Sequence, residues 1–127
     1  VPDDNKRIMF HQLLEIQLNN IIQKQFVNEQ LTPEMMRSLR EAIRKQLVDV
    51  FSKSKFQLSA RALIWLGDQY FKAIRINDNQ LMNDQVVINE YKLMELEFYD
   101  IQLLHNLFNE TVMGPELDAE LKRRSAS

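Results

Sequence analysis

The sequence has no cysteine, only two glycines and only three prolines among its 127 residues. The lack of cysteine excludes thiol nucleophiles, cysteine-ligated zinc, iron–sulfur clusters and disulfide scaffolds. Loops that bind phosphate need closely spaced glycines, and Gly67 and Gly114 stand far apart, so neither a P-loop nor a dinucleotide-binding motif is present. Tight hairpins and β-bulges also use glycine freely. The scarcity of glycine therefore favours a helical fold over a sheet-rich one.

Long apolar runs are missing as well. No stretch approaches the roughly 18 uninterrupted apolar residues that a membrane-spanning helix requires. Residues 1–5 carry no basic region ahead of an apolar segment, so they do not resemble a secretory signal. We therefore expect a cytoplasmic protein, located in the host cytoplasm if its source is viral. Asparagine and glutamine together contribute 21 residues, an abundance that points to an AT-rich source such as a virus or a low-GC bacterium.

Apolar residues recur at helical spacing over most of the chain, which predicts a series of amphipathic helices. A first helix is expected from about Lys6 to Glu29. A second should begin at Thr32, a good N-cap followed by proline at the first helical position, and end near Phe51. The core-facing residues of these two helices are expected to be Phe10, Leu14, Leu18, Ile22 and Phe26, then Met36, Leu39, Ile43, Leu47 and Val50.

Three further helices are expected. Ser59 should cap a third helix whose buried stripe is Leu63, Leu66, Tyr70 and Ile74, and short polar side chains at 75–79 should end it. A fourth and longest helix should begin between residues 79 and 84 and continue to 108 or 109, ahead of the glycine and proline at 114 and 115. A short helix over 116–124 follows, and the last three residues are expected to be disordered.

These elements predict an all-α fold, namely a four-helix bundle-like domain with a long C-terminal coiled-coil-like helix and a short terminal helix. We expect residues 1–114 to form a single helical domain and residues 115–127 to form a short helix and a flexible tail. A chain of this length buries about two thirds of the surface of its unfolded form, so it needs neither a metal nor a disulfide to hold its core.

The fourth predicted helix carries the sharpest pattern, an alternation of spacings of four and three that is typical of a coiled-coil seam. The seam residues are Val87, Tyr91, Met94, Phe98, Ile101, His105 and Phe108. Its other flank is also apolar, through Leu93, Leu96, Leu103, Leu104 and Leu107. A helix that is apolar most of the way round either lies at the centre of its own bundle, which is the favoured interpretation, or is shared with another subunit or partner.

The formal net charge of -2 conceals an uneven distribution. Residues 37–75 hold nine basic and three acidic side chains, whereas residues 76–121 hold ten acidic side chains and one basic one. In one interpretation the basic segment faces a polyanion, and the residues that contact its phosphates are Arg37, Arg40, Arg44, Lys53 and Lys55. In a second, the basic and acidic segments satisfy each other, within one subunit or between subunits. In a third interpretation, both segments are solvated faces of a bundle. The sequence pI of about 5.7 weighs against the first interpretation, since proteins dedicated to nucleic-acid binding tend to be basic.

Residues suited to catalysis are few. The chain has two histidines, His11 and His105, and neither has the glutamate three positions earlier that di-iron bundles use. Glu97 and Asp100 match one half of the paired carboxylate motif of all-helical nucleotide pyrophosphohydrolases, but the other half is missing. No serine lies in a glycine-flanked elbow. We therefore predict a protein that is not an enzyme and needs no cofactor or metal, and we interpret His105 as a core or interface imidazole.

The preferred hypothesis is a non-catalytic helical assembly or interaction protein that acts by self-association or by binding a larger protein partner. The first alternative is a nucleic-acid-handling accessory protein, for example a phage-type DNA-packaging small subunit or a transcription regulator, that uses the basic 37–75 segment. The second alternative is an acidic inhibitor that imitates nucleic acid. We expect a homo-oligomer or a larger protein complex, with nucleic acid as a further possible partner, and neither a membrane nor a small-molecule substrate.

Overall fold

The structure, a computed structural model, describes residues 12, 14, 16, 33–77, 90–111 and 113–126. In this part of the chain there are four α-helices and one turn of 3₁₀ helix over Leu93–Glu95. The helices are α1 at Pro33–Ser52, α2 at Ala60–Asn77, α3 at Phe98–Phe108 and α4 at Gly114–Ser125. Residues 12, 14 and 16 are helical as well, and the described residues include no strand. The predicted all-α class is confirmed. None of the helices in these ranges is both long and apolar enough to cross a bilayer.

Helices α1 and α2 form the first packed pair. Helix α1 begins at Pro33 as expected, and four of its predicted core residues, Leu39, Ile43, Leu47 and Val50, are buried. Gly67 on α2 lies directly against this face, because a Cβ there would come within 3.3 Å of the Arg44 Cγ and 3.5 Å of the Leu47 Cδ1. The small residue thus lets the two helices approach closely.

The buried face of α2 is rotated slightly from the predicted stripe. Its most buried apolar residues are Ala62, Trp65, Leu66 and Phe71, whereas the predicted Leu63 and Tyr70 are half-buried at the edge of the core. Tyr70 packs edge-on against Phe108 of α3, with ring centroids 6.5 Å apart. This contact joins α2 to the C-terminal half of the chain.

The predicted cap of α2 is confirmed. The Ser59 Oγ accepts the backbone N–H of Ala62 at 3.2 Å, which satisfies one of the donors that the start of a helix leaves without a partner. The Leu63 N–H then donates to the Ser59 carbonyl at 3.0 Å, so the helical hydrogen bonding begins at the capping residue.

The predicted long fourth helix is wrong between residues 90 and 97. Glu90 and Tyr91 bend the chain, and Leu96 and Glu97 have extended backbones with ψ near 153° and 152°. Only at Phe98 does α3 begin, and it ends at Phe108, where the pattern placed the end. The predicted beginning of that helix, between 79 and 84, lies outside the described residues. The physical reason for the break is that side chains from α2 and α4 bind the backbone of this stretch.

Helices α3 and α4 pack together and complete the core. Ile101, Leu104, Leu107 and Phe108 are buried on α3, and Leu117 is fully buried on α4. Gly114 marks a close approach, because a Cβ there would lie 2.1 Å from the Asn109 carbonyl oxygen. Pro115 follows in the first turn. Helix α4 therefore begins two residues before the predicted 116–124 and ends one residue after it, at Ser125.

Leu14, the only buried one of the three described N-terminal residues, belongs to the same apolar core as residues from all four helices. The core contains Leu39, Ile43 and Leu47 of α1, Trp65, Leu66 and Phe71 of α2, Ile101, Leu104 and Phe108 of α3, and Leu117 of α4. The other predicted core residues of the first helix, Phe10, Leu18, Ile22 and Phe26, lie outside the described residues.

Candidate functional site

Residues 90–97, which connect to α3, are held at their first residue by a buried carboxylate. Asp68 on α2 is only 1% exposed. Its Oδ2 accepts the backbone N–H of Glu90 at 3.2 Å, and its Oδ1 accepts the Nε and Nη2 of Arg40 at 3.0 and 2.9 Å. A buried carboxylate is stable only when its lone pairs meet donors, and here two elements supply them. Asp68 therefore links α1, α2 and the start of the 90–97 stretch.

Arg44 completes this group of charges, which we call the Asp68 cluster and which consists of Arg40, Arg44, Asp68 and Glu90. The Arg44 Nη2 lies 2.6 Å from the Glu90 Oε1 and 3.4 Å from the Asp68 Oδ1, and its Nη1 lies 3.3 Å from the Glu41 Oε1. Burial alone disfavours the charged guanidinium, but hydrogen bonding and attraction to Glu90 and Asp68 outweigh it and raise the pKa of Arg44. The cluster thus matches two cations with two carboxylates.

Two of the five predicted phosphate-contacting residues belong to the Asp68 cluster. Arg40 and Arg44 are only 15% and 18% exposed, and both bind the carboxylates of the cluster. Arg37 is exposed on α1, beside a shallow depression of about 880 Å³. In the loop after α1, Lys53 lies 3.3 Å from Asp49, and the Lys55 Nζ lies 5.8 Å from the centre of the Phe56 ring. The five residues are therefore spread over two elements, and the central arginines serve contacts within the fold.

A second set of charges holds the 90–97 stretch from α4. The Arg124 Nη2 donates to the carbonyl oxygens of Leu93, Met94 and Leu96, at 3.4, 3.1 and 2.7 Å. Its Nε donates to Glu120 at 2.7 Å. A guanidinium has several donors in one plane, so it can hold the turn and the carboxylate together.

Glu120, the carboxylate of this set, is only 9% exposed. Arg123 donates to its two oxygens from Nε at 3.0 Å and Nη2 at 2.6 Å. Hydrogen bonds from Arg123, and then from Arg124, lower the pKa of Glu120 to about 2. Glu120 therefore stays ionised over the ordinary pH range and keeps both arginines in position.

The start of α3 is tied to the start of α2 by a third buried carboxylate. Asp100 accepts the Ser59 backbone N–H at 3.1 Å and the Ser59 Oγ–H at 2.6 Å. Asp100 itself is nearly inaccessible to solvent. Ser59 therefore caps α2 and anchors the first turn of α3 at the same time.

Between these anchors, three large apolar side chains face solvent. Met94, Phe98 and Tyr99 are 59%, 45% and 60% exposed, and we call them the apolar patch. Their neighbours Leu93 and Leu96 are buried in the core. The chain in this stretch thus presents one set of apolar side chains to the core and another to solvent.

A groove lies beside the apolar patch, between α2, residues 91–94 and α4. Its cavity volume is about 440 Å³. Its lining combines aromatic, aliphatic and charged side chains: Trp65, Gln69, Lys72, Tyr91, Lys92, Leu93, Met94, Glu116, Ala119, Glu120 and Arg123. Met94 belongs both to the groove and to the apolar patch, so the two surfaces are continuous.

The seven predicted seam residues do not form one helical face. Ile101 and Phe108 are buried in the core, Met94 and Phe98 are exposed, and Val87 lies outside the described residues. Most of the opposite flank is buried instead, through Leu93, Leu96, Leu104 and Leu107. Because residues 90–97 are not α-helical, the heptad spacing does not carry through to α3.

The two remaining seam residues, Tyr91 and His105, contact charged side chains. Half-buried Tyr91 has the Arg61 guanidinium 5.6 Å from the centre of its ring. The His105 Nε2 lies 3.6 Å from the Asp118 Oδ1 on α4. A hydrogen bond from Lys122, together with attraction to Lys122 and His105, lowers the pKa of the Asp118 carboxyl. His105 thus lies at the α3–α4 junction.

Sequence reasoning missed the residues that anchor this surface, namely Asp68, Asp100, Glu120 and Arg124. One signal was available for Asp68: it lies three positions from both Trp65 and Phe71, on the apolar face of its helix. A carboxylate on such a face needs a buried partner. No comparable signal marks Arg124, whose carbonyl partners lie about thirty positions earlier in the chain.

Among the described residues, no group of three or more histidine, aspartate or glutamate side chains is placed to hold a metal ion. No family model matches the chain, and no curated protein or solved structure matches it significantly.

Proposed function

We propose that this protein is a non-catalytic helical interaction protein that binds a protein partner through the apolar patch. The observation that carries the proposal is the exposure of Met94, Phe98 and Tyr99 within six consecutive positions. Single exposed apolar side chains are common on protein surfaces, but a contiguous group marks an interaction surface. Methionine and aromatic residues are enriched at protein interfaces, and aromatic anchors carry much of the binding energy.

The hydrogen bonds that hold the backbone of the apolar patch favour the same function. Arg124 binds the carbonyls of Leu93, Met94 and Leu96, and Asp100 ties the next turn to Ser59. A surface held in this way loses little conformational freedom when a partner binds, because its backbone is already ordered. The apolar side chains are thus presented on a preorganised backbone.

The buried carboxylates also support a structural rather than a catalytic role. Asp68, Asp100 and Glu120 each accept hydrogen bonds from arginine or serine within the fold. A catalytic carboxylate would be expected to face a cavity with an altered affinity for its proton. Of these three, only Glu120 lines the groove, and its lowered pKa keeps it ionised and bound to two arginines.

The proposal is tested with the double variant Phe98→Ser, Tyr99→Ser. The matched control is Val48→Ser, because Val48 is an apolar residue of α1 that is also about half exposed. Light-scattering mass over a range of concentrations reports self-association, and affinity capture with quantitative mass spectrometry reports other partners. We expect the wild type and Val48→Ser to associate alike, either with themselves or with one captured protein, and the double variant to lose that association. Identical mass and identical captured proteins for all three would overturn the proposal.

A further inference from the structure

We propose that the groove between α2, residues 91–94 and α4 binds an acidic peptide segment of the partner, with one apolar side chain between its carboxylates. The inference rests on the proposed function, since it names the part of a protein partner that this surface recognises. Three features of the groove support it: its shape, its balance of charges and its continuity with the apolar patch.

The shape suits a short extended segment. Trp65, Gln69 and Lys72 are four and three positions apart on α2, so they share one helix face. On α4 the lining runs from Glu116 to Arg123, a length of about 10 Å at the helical rise per residue. An extended chain of about three residues has that length. The cavity volume of about 440 Å³ is in the range of ligand-binding clefts.

The charges favour carboxylates. Lys72 and Lys92 line the groove, and in the part of the chain that the structure describes neither side chain has an ion-pair partner. Glu120 is already engaged by Arg123 and Arg124, so its charge is matched. Glu116 is the one remaining carboxylate of the described lining. The groups left to meet a ligand are therefore two ammonium groups and one carboxylate, although the 76–121 segment as a whole is strongly acidic.

The same charges disfavour a phosphate ligand. Arginine binds phosphate best through two parallel N–H donors, and Arg123 already uses its Nε and Nη2 for Glu120. Lysine acts as a point charge that suits a carboxylate equally well. The carboxylates of Glu116 and Glu120 would also repel a continuous phosphate backbone. A peptide that alternates carboxylates with an apolar side chain avoids both conflicts.

An apolar side chain in the ligand is expected because the base of the groove is apolar. Trp65 and Leu93 are buried there, and half-buried Tyr91 and exposed Met94 stand at its edge. Met94 also belongs to the apolar patch, so a partner seated on the patch would extend into the groove. Burying a side chain against these residues adds a hydrophobic contribution to the attraction from the lysines.

The test uses a capped six-residue peptide of alternating glutamate and leucine, with the glutamine–leucine and glutamate–serine peptides as its matched controls. Trp65 is the only tryptophan in the chain, so its fluorescence reports the groove, and titration calorimetry gives an independent dissociation constant. At low ionic strength, where charges are weakly screened, we expect the glutamate–leucine peptide to bind saturably and both controls to bind at least tenfold more weakly.

The chain offers variants with equal changes in net charge. Lys72→Glu with Lys92→Glu should weaken binding of the glutamate–leucine peptide at least tenfold. Lys45→Glu with Lys53→Glu, at exposed positions outside the groove, should leave it within about twofold. Equal weakening by both pairs, equal binding of the glutamine peptide, or no binding by either method would overturn the inference. Tighter binding of a short single-stranded oligonucleotide, lost in the Lys72 and Lys92 variant, would overturn it in favour of phosphate.

The two proposals fail separately. The Phe98→Ser, Tyr99→Ser variant retains every residue of the groove lining, so it should still bind the peptide while it loses the partner. Loss of the partner without any peptide binding would leave the proposed function standing and refute the groove. If the wild type bound the peptide but associated with no partner, the groove proposal would stand and the proposed function would be refuted.

Discussion

The Arg124 Nη2 lies 2.7 Å from the carbonyl oxygen of Leu96, and through this contact the last helix holds a turn that precedes it by 28 positions. The same nitrogen also reaches the carbonyls of Leu93 and Met94. In a continuous α-helix the carbonyls of residues 93, 94 and 96 would point along the axis from different sides of the helix, so one nitrogen could not reach all three. This relationship explains why the chain turns before Phe98, and why Met94 and Phe98 face solvent together.

Replacing Arg124 with alanine should lower the free energy of unfolding by about 2 kcal/mol, because hydrogen bonds to a charged group are lost and Glu120 keeps only one arginine. The control is Lys122→Ala, which removes an exposed partner of Asp118 and should cost about 0.5 kcal/mol or less. Urea unfolding measures both. Hydrogen exchange should also quicken at residues 93–97 in the Arg124 variant, and unchanged exchange there would contradict the proposed contact.

Asp68→Asn should lower the free energy of unfolding by more, about 3 kcal/mol. The reason is that the half-buried Arg40 and Arg44 would keep Glu90 as their main carboxylate partner. Asp49→Asn is the matched control, because Asp49 is exposed and forms a surface ion pair with the exposed Lys53. The control should change stability by less than about 0.5 kcal/mol. If chemical denaturation showed that both variants lose a similar amount of unfolding free energy, the Asp68 cluster would contribute no more to stability than a surface ion pair.

The lowered pKa of Glu120 predicts a pH dependence of stability. Its pKa falls from 4.5 to about 2 on folding, so the unfolded chain binds the proton more tightly. The stabilisation is therefore fully present above pH 4.5 and is lost as the pH falls toward 2. The difference in unfolding free energy between the wild type and Glu120→Gln should be constant near neutral pH and shrink through that window. If the difference in unfolding free energy stayed constant between pH 5 and 2.5, the hydrogen bonds from Arg123 and Arg124 would not favour the ionised Glu120.

The two glycines should respond differently to alanine. At Gly114 the new Cβ would lie 2.1 Å from the backbone oxygen of Asn109, so the chain must shift, at a cost of about 1–3 kcal/mol. At Gly67 the nearest atom is the flexible Cγ of Arg44 at 3.3 Å, and alanine gains about 1 kcal/mol of helix propensity. We expect Gly67→Ala to be close to neutral. Thermal melts of both variants test this ranking, which an equal loss for both would contradict.

Much of the fold followed from local patterns. Proline at 33 and Ser59 ahead of an apolar stripe each predicted the start of a helix that the structure has, whereas α4 begins at Gly114, two residues before the predicted start. These signals act within one helical turn, so neighbouring residues are enough to specify them. The core face of α1 was predictable for the same reason, since helical spacing alone brings its apolar residues together.

The candidate site was less predictable. Heptad spacing at 87–108 favoured one long helix, because the spacing is continuous and no proline or glycine interrupts it. The contacts that break the helix come from Asp68 and Arg124, residues remote in sequence, and their effect exceeds the local preference of the stretch. The seam therefore divides into the buried Ile101 and Phe108 and the exposed Met94 and Phe98.

The sequence by itself determined the all-α class, the bounds of the helices around 33–77 and the end of the helix at 108, since composition and short-range capping are local properties. Tertiary structure alone decided how the charges are used. The basic segment holds nine basic residues, and two of them, Arg40 and Arg44, pair with the carboxylates of Asp68 and Glu90. Folding brings together groups that lie 22 to 50 positions apart, and burial makes an unmatched charge costly. Tertiary structure also decided which apolar residues face solvent, and the proposed function rests on the exposure of Met94, Phe98 and Tyr99.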